Sequence, residues 1–314
     1  MSVRRRRPRR RPRPRPFPWL PVIAGALVVA CIWWSVGALK RQIAGYFESG
    51  PQAHRTKQRA AETKPPSGAT QHAATAPLTA LRPAANGRSP LAGLHGPRIA
   101  IIIDDCGNNL PKDERFLPLP VPLTLAILPL SAHGRELAQE AQAAGKSFIL
   151  HLPMQPQSAQ FNPGPGAITT GMSDEQIMMQ VEQDIESLPP VPGANNHMGS
   201  KGTSDPRVMH DVLAVFKSKG LFFIDSETSN ASVGEQMAHE AGVETAARDV
   251  FLDNEVDQAA IEAQLRETEK LAFEHGQAIA IGHPFPQTAD ALAKEIPAMR
   301  AAGIEFVPAE SLVK

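Results

Sequence analysis

Residues 99–106 read Ile-Ala-Ile-Ile-Ile-Asp-Asp-Cys, an apolar run that stops on two adjacent carboxylates. A run of β-branched residues favours a buried strand, whereas neighbouring acidic side chains resist burial unless a partner compensates their charge. A metal ion is the obvious partner for Asp104 and Asp105 at the end of such a strand. The stretch therefore predicts a buried strand that delivers two carboxylates to a site.

The sequence from residue 98 to residue 314 alternates strand-like and helix-like segments. We predict strands at 98–103, 122–127, 147–151, 221–225, 278–283 and 305–308. We predict helices at 132–144, 174–187, 206–219, 233–241, 258–274 and 288–301, with start signals at Ser173 and Asp205. This alternation indicates an α/β fold with a parallel sheet, which is either open or closed into a barrel.

Charge is strongly segregated along the 314 residues. The chain has 32 basic and 32 acidic residues, but nine arginines lie between Arg4 and Arg15 and no acidic residue precedes Glu48. Without those nine arginines, 23 basic residues remain against 32 acidic ones, a net charge of −9. A nucleic-acid-binding domain shows the opposite balance, so we expect no nucleic-acid partner.

An uncharged stretch follows the arginines. Residues 20–39 are long enough to cross a bilayer as a helix, and Trp19, Trp33 and Trp34 suit its interfaces. The positive-inside rule keeps the arginines cytoplasmic. We therefore expect a single-pass inner-membrane protein with a cytoplasmic N-terminus and a periplasmic domain. Its parts are a basic tail at 1–18, an anchor at 19–40, a disordered linker at 41–97 and the folded domain at 98–314.

Two processing alternatives stand beside the uncleaved anchor. Residues 36–38 could form a signal-peptide cleavage site, although the apolar stretch is long for a signal. Residues 28–31 loosely resemble a lipoprotein box with Cys31 as the modified residue, although apolar residues follow it directly. The other cysteine is Cys106, so we expect no disulfide within the domain.

Ligand-capable residues end several predicted strands: Asp104, Asp105, His151, Asp225 and His283. A further group, Asn195-Asn196-His197, lies in a glycine-rich stretch. The carboxyl ends of barrel strands converge on one face, where active sites are built. Zinc takes histidine nitrogen and carboxylate oxygen, so the pattern predicts a zinc site. The structural alternatives are that Asp104 caps a turn and that His151 is a hydrogen-bonded core histidine.

Six motifs occur in the order of a known family: residues 101–107 (Ile-Ile-Ile-Asp-Asp-Cys-Gly), 151–156 (His-Leu-Pro-Met-Gln-Pro), 193–200 (Gly-Ala-Asn-Asn-His-Met-Gly-Ser), 222–229 (Phe-Phe-Ile-Asp-Ser-Glu-Thr-Ser), 248–254 (Arg-Asp-Val-Phe-Leu-Asp-Asn) and 280–284 (Ala-Ile-Gly-His-Pro). Together they resemble the divergent polysaccharide deacetylases, relatives of NodB-like carbohydrate esterases. The resemblance covers nearly all of residues 98–314. It implies a distorted (β/α) barrel and a metal-dependent esterase or amidase site.

The resemblance also implies roles for individual residues. Asp104 corresponds to the catalytic base and His283 to the general acid. Asp105 and His151 correspond to metal ligands, with a divalent ion, zinc, as the expected cofactor. The remaining motif residues are expected to support the ligands or contact substrate: Asn195, Asn196, Asp225, Arg248 and Asp249.

The chain departs from the ordinary deacetylase pattern in one ligand. The second metal histidine usually lies four residues after the first, and Gln155 occupies that position. We expect His197 to supply the missing nitrogen from another part of the chain. The Arg-x-Pro-x-Gly stretch of the family is also replaced, with 195–199 in roughly its place.

The resulting expectation is a membrane-anchored deacetylase-like hydrolase that acts on an acetylated envelope polysaccharide or peptidoglycan sugar. The alternative is a catalytically degenerate barrel that binds a glycan or a cell-envelope partner. Phosphoester hydrolysis ranks last, because the sequence has no glycine-rich phosphate loop before a helix.

Overall fold

The computed structural model describes residues 96–314, which hold nine strands and seven α-helices. The strands are β1 (Arg98–Cys106), β2 (Thr124–Ile127), β3 (Ser147–Met154), β4 (Gly193–Met198), β5 (Phe222–Asp225), β6 (Thr245–Ala247), β7 (Val250–Phe251), β8 (Gln277–Gly282) and β9 (Glu305–Phe306). The helices are α1 (Leu110–Asp113), α2 (Gly134–Ala143), α3 (Asp174–Glu186), α4 (Pro206–Lys219), α5 (Gly234–Ala241), α6 (Gln258–His275) and α7 (Pro286–Ala301). The expected tail, anchor and nearly all of the linker lie outside the described residues. Within 96–314, none of the helices combines the length and apolarity that a membrane crossing needs.

All strand pairs of the sheet are parallel, in the order β6-β5-β4-β3-β2-β1-β8-β7. β9 pairs with the first two residues of β1. β6 and β7 lie at the two ends of the order, and only Arg248 and Asp249 connect them. A regular α/β barrel would place a helix in this connection, so the barrel is distorted here. The predicted distorted (β/α) barrel is confirmed.

The apolar run at 99–103 packs on both faces of β1. Ile99, Ile101 and Ile103 belong to the large core between sheet and helices, whereas Ala100 and Ile102 belong to the smaller core inside the curved sheet. Successive strand residues point to opposite faces, and both faces are covered here. A continuous apolar run is therefore what β1 requires.

The predicted helix starts are present. Ser173 and Gln176 form a capping box at α3, each side chain bonding the other's backbone N–H. Asp205 accepts hydrogen bonds from Arg207 and Val208 at the start of α4. These caps satisfy backbone donors that the first turn of a helix leaves free.

Three strands were not predicted, and two predicted strands are longer than expected. β1 continues through both aspartates to Cys106, and β3 continues to Met154. β4 and β6 are rich in Gly, Ala and Asn and lack a strand pattern, whereas β7 is only two residues long, too short for a pattern. Pairing with longer neighbours, such as β4 with β3, makes them strands.

Candidate metal centre and acid–base groups

The two aspartates of β1 reach the same site because the strand is irregular between them. Adjacent strand residues normally face opposite sides of a sheet. The register of β1 against β2 shifts between Ile103 and Cys106, and Asp105 has a left-handed φ of 59°. This bulge turns Asp105 toward the side that Asp104 faces. As a result, Asp104 Oδ2 lies 3.6 Å and Asp105 Oδ1 lies 3.2 Å from His151 Nε2.

Asp105, His151 and His197 bring three ligand-capable atoms together. Asp105 Oδ1 lies 2.7 Å from His197 Nδ1, and the two histidines face each other with Nε2 and Nδ1 3.2 Å apart. These residues form a potential metal-binding group among the described residues. β1, β3 and β4 each contribute one of them, so the sheet itself holds the cluster.

The donor set fits a divalent cation. Two imidazole nitrogens and one carboxylate oxygen make the three-residue ligand set of a catalytic zinc site, which leaves a position for water. Atoms separated by 2.7 to 3.2 Å can contact one ion, since zinc bonds to nitrogen and oxygen are about 2.0–2.2 Å long. Asp105, His151 and His197 are therefore the residues that would hold the ion.

Asn195 connects the predicted base to a predicted ligand. Its Nδ2 donates to Asp104 Oδ1 at 2.8 Å, and its Oδ1 lies 2.8 Å from His151 Nδ1. A carboxylate only accepts hydrogen bonds, so the amide nitrogen faces Asp104 and the amide oxygen faces His151. His151 must then carry its proton on Nδ1. A proton on Nε2 as well lets that atom donate to Asp105 Oδ1 at 3.2 Å, and loss of this proton leaves Nε2 free to bind a metal while Nδ1 keeps its own.

The pKa values of the two aspartates shift in opposite directions. Burial raises the pKa of Asp104, against the opposing influence of His151 and His283. Burial also acts to raise the pKa of Asp105, but hydrogen bonds from His151 and His197 outweigh it and hold this pKa well below its usual range. A carboxylate that stays ionised suits a metal ligand, whereas a raised pKa suits a base.

His283 stands opposite the cluster, directly after β8. Its Nε2 lies 3.8 Å from Asp105 Oδ2, and its Nδ1 lies 2.9 Å from Asp253 Oδ1. Burial acts to lower the pKa of His283, but the hydrogen bond and charge of Asp253 raise it to about 9. The imidazolium is thus favoured at neutral pH, as a general acid requires. Phe251 and Phe285 flank the ring.

Asp253 is a functional candidate that the sequence reasoning did not select. It is buried, and its Oδ2 accepts hydrogen bonds from the His283 backbone and from Thr288 Oγ1. It therefore fixes the backbone, ring orientation and charge of His283 together. The sequence signal for Asp253 is its position in the 248–254 motif, which also contains Arg248 and Asp249.

Gln155, directly after β3, holds two loops through its hydrogen bonds. Its Oε1 accepts hydrogen bonds from the N–H and hydroxyl of Thr170, and its backbone oxygen accepts from Lys201 and Gly202. The position of the usual second histidine is thus occupied by a structural side chain. His197 lies beside Asp105 and His151.

The other motif residues stabilise the loops around the centre. The Asn196 Oδ1 atom accepts a hydrogen bond from the Ser226 N–H. The Asp225 Oδ2 atom accepts hydrogen bonds from the Ser232 hydroxyl and from the Glu235 N–H at the start of α5. Arg248 donates to the carbonyls of residues 226 and 227, and Asp249 accepts from the Ile279 N–H. Among these predicted supporting residues, the structure brings Asn195 alone into hydrogen bonding with Asp104 and His151.

A groove of about 320 Å³ opens beside Asp105 and His197. Its other walls are the loop after β2, at 128–131, and residues 162–165 of the loop after β3. Apart from Asp105 and His197, its lining consists of proline, leucine, glycine, serine and asparagine. The groove therefore opens the Asp105 and His197 side of the cluster to the surface.

Known proteins resemble this chain over the same region. The chain is 38% identical over 191 residues to an uncharacterized protein of Haemophilus influenzae, covering 61% of this chain and 68% of that protein. It is 36% identical over 191 residues to the uncharacterized protein YibQ of Escherichia coli K12, covering 61% of this chain and 60% of that protein. A crystal structure of an uncharacterized protein from Agrobacterium tumefaciens C58 matches with a TM-score of 0.68 and 25% identity, covering 71% of this chain and 92% of the other.

The family assignment rests on a longer match. The family described as divergent polysaccharide deacetylase matches residues 101–313. That range includes every strand end that contributes to the cluster, from Asp104 on β1 to His283 after β8. The chain belongs to the divergent polysaccharide deacetylase family.

Proposed function

We propose that this protein is a metal-dependent deacetylase-like hydrolase that removes an acetyl group from an envelope polysaccharide or peptidoglycan sugar. One observation carries the proposal: Asp105, His151 and His197 converge, with Asp104 and His283 on either side. The arrangement supplies a ligand set, a base and an acid within one site. The family match supports the carbohydrate substrate.

A divalent ion, which we propose is zinc, would lower the pKa of bound water and polarise the acetyl carbonyl. Asp104 accepts the proton of the attacking water through Oδ2, because Asn195 occupies its Oδ1. His283 donates a proton from Nε2 to the leaving amine or alkoxide, while Asp253 holds Nδ1. Phe251 and Phe285 limit the access of water to this ring.

The test combines metal analysis with acetate release. The purified full chain should hold about one zinc and release acetate from peptidoglycan or N-acetylglucosamine oligomers. Asp105→Ala should lose both properties, whereas Asp104→Asn should keep the metal and lose about 10²–10⁴-fold in kcat. His210→Ala is the control, since that side chain is exposed on α4. Absence of metal together with full activity of Asp105→Ala would contradict the proposal.

We also propose that residues 19–40 hold the chain in the inner membrane with the barrel in the periplasm. The uncharged length of 20–39 and the arginines before it support this arrangement. An envelope glycan would then be within reach of the site. Linker residues 41–97 would let the domain reach substrate at a distance from the membrane surface.

A second candidate function is a non-catalytic envelope module that binds a glycan or a partner protein. The observation that favours it is Gln155, which contacts Thr170 where the family usually has a metal histidine. Complementation separates the two functions. Rescue of a deletion phenotype by Asp105→Ala as well as by wild type would favour the module, and failure of this variant would favour the enzyme.

A further inference from the structure

A large hollow lies at the seam between β6 and β7, where two residues replace the helix of a regular barrel. Its volume is about 1020 Å³, and residues of α5 and α6 line it together with residues 245–249. A helix of about ten residues is about 15 Å long and about 10 Å wide, which corresponds to roughly 1200 Å³. The hollow therefore has about the size of the helix that the seam lacks.

Negative charge dominates the lining of this hollow. The lining contains four carboxylates and two permanent cations: Glu227, Glu235, Glu240, Asp249, Arg248 and Lys314. His239 and His275 also line it, and with both neutral the lining has a net charge of −2. Burial and the charge of Asp225 raise the pKa of Glu227, although Arg248 opposes them. The hollow therefore favours a cationic occupant.

Thr245 of β6 presents a polar group without a partner at the same hollow. The residue is 7% exposed and lines the hollow, and its Oγ1 has no hydrogen-bond partner among the described residues. The next residue, Ala246, packs against the smaller core inside the curved sheet, so Thr245 points outward to the helix layer. An unpaired buried hydroxyl is unfavourable, and a polar group of an occupant would relieve it.

The charge of the folded domain restricts the kind of partner. Residues 98–314 contain 15 basic and 30 acidic residues, a net charge of −15. A second copy of the domain carries the same charge and would be repelled at an acidic surface. A basic segment of another protein would be attracted both by the hollow and by the field of the whole domain.

We propose that the hollow between α5 and α6 is a docking site for a basic amphipathic helix of a partner protein. The helix occupies the place that a regular barrel gives to its own helix. Its apolar side packs on Leu271 and Ala247, which are both partly exposed, and its lysine or arginine side chains face the carboxylates. None of the lining residues is a metal ligand or belongs to the acid–base pair, so the inference is independent of the proposed deacetylation.

Site-specific crosslinking in cells tests the docking site on the full chain. Photoreactive benzoylphenylalanine replaces Gln236, which lines the hollow from α5. A second strain carries it in place of Met179, which is 54% exposed on α3. Light should crosslink another protein at position 236 and not at position 179. Mass spectrometry should locate the crosslink in a segment with a net positive charge and apolar residues at helical spacing.

Charge variants test whether the carboxylates hold this partner. The test protein carries three changes in the hollow: Glu227→Gln, Glu235→Gln and Glu240→Gln. The matched control carries three changes at exposed positions of α3: Glu175→Gln, Glu182→Gln and Glu186→Gln. The first set should lower the yield of the adduct about ten-fold, because three exposed ion pairs are lost. The control set removes the same charge and should leave the yield unchanged.

Several results would overturn the docking site. Position 236 might crosslink to a second copy or to another part of this chain, or give no more adduct than position 179. An acidic segment in the adduct would contradict the expected charge of the partner. Equal yields in the two glutamine variants would show that the carboxylates of the hollow do not select it.

Discussion

At Asp104 and Asp105, one peptide bond separates two carboxylates whose pKa values move in opposite directions. Both are buried in part or fully, so burial alone does not distinguish them. The difference comes from partners: Asp105 accepts from two histidines, whereas Asp104 accepts from the neutral amide of Asn195. The left-handed turn at Asp105 makes this division possible by rotating its side chain toward His197.

Replacement of Asn195 should weaken metal binding without removing a ligand. Asn195→Ala deletes the acceptor that holds the His151 proton on Nδ1, so zinc affinity should fall about 10–100-fold. Asn195→Asp keeps an acceptor for His151 but repels Asp104, so it should retain more affinity than alanine. Competition with a chromophoric chelator measures both values. Wild-type zinc affinity in Asn195→Ala would show that the tautomer is set by another group.

The types of site residue could be predicted from the sequence, but their pairing could not. Two acids after an apolar strand, and histidines at later strand ends, indicated a metal centre. The bulge between Ile103 and Cys106, the hydrogen bonds of Asn195 and the contact of Asp253 with His283 depend on how strands meet. Such long-range geometry leaves no local pattern in the chain.

Among the elements, α3 carries a destabilising carboxylate. Asp184 is fully buried; its Oδ1 accepts from Gln180, and its Oδ2 has no hydrogen-bond partner among the described residues. Burial raises the pKa of Asp184 to about 7. The unfolded chain loses this proton at lower pH than the folded chain does. Stability should therefore fall as pH rises from about 4 to about 7, and the penalty remains above that range.

Asp184→Asn should stabilise the folded chain at pH 8 and change it little at pH 4. The gain at pH 8 should be about 1–3 kcal/mol, because the amide removes the cost of ionising a buried acid. Thermal unfolding at pH 4, 6 and 8 measures the effect. Glu182→Gln, an exposed change on the same helix, serves as control. If Asp184→Asn is no more stable than wild type at pH 8, Asp184 is not the source of the penalty.

α3 and β4 differ in how far the local sequence is enough to predict the element. α3 was predicted from its capping box and apolar spacing, both of which lie within the helix itself. β4, which carries Asn195 and His197, has no strand pattern of its own, because Gly193-Ala194-Asn195-Asn196 lacks β-branched residues. Its strand conformation comes from pairing with β3 and β5, not from its own propensity.

For the whole molecule, strand–helix alternation was enough to predict a parallel α/β fold, and the family resemblance supplied the distorted barrel. The seam between β6 and β7 was not predicted. There, two residues replace a helical connection, and the segment pairs first with β5 and then with β8. Charge is also segregated across the whole molecule, since an arginine-rich start precedes an acidic remainder.

Deletion of residues 1–40 should release the protein from membranes. The uncharged stretch 20–39 is the part that we expect to cross the bilayer. Alkaline extraction should leave the full chain in the membrane pellet and the shortened chain in the supernatant. Externally added protease should digest the barrel of the full chain in spheroplasts but not in intact cells. Full solubility of the uncleaved chain would contradict the anchor.

The most direct measurement is the zinc affinity of the full chain compared with that of His197→Ala and Gln155→Ala. Zinc competition titration gives all three values under one condition. We predict one bound zinc in wild type, a similar affinity in Gln155→Ala, and a loss of about 100-fold or more in His197→Ala. Wild type without zinc binding, or His197→Ala with wild-type affinity, would contradict the claim that Asp105, His151 and His197 form the metal centre.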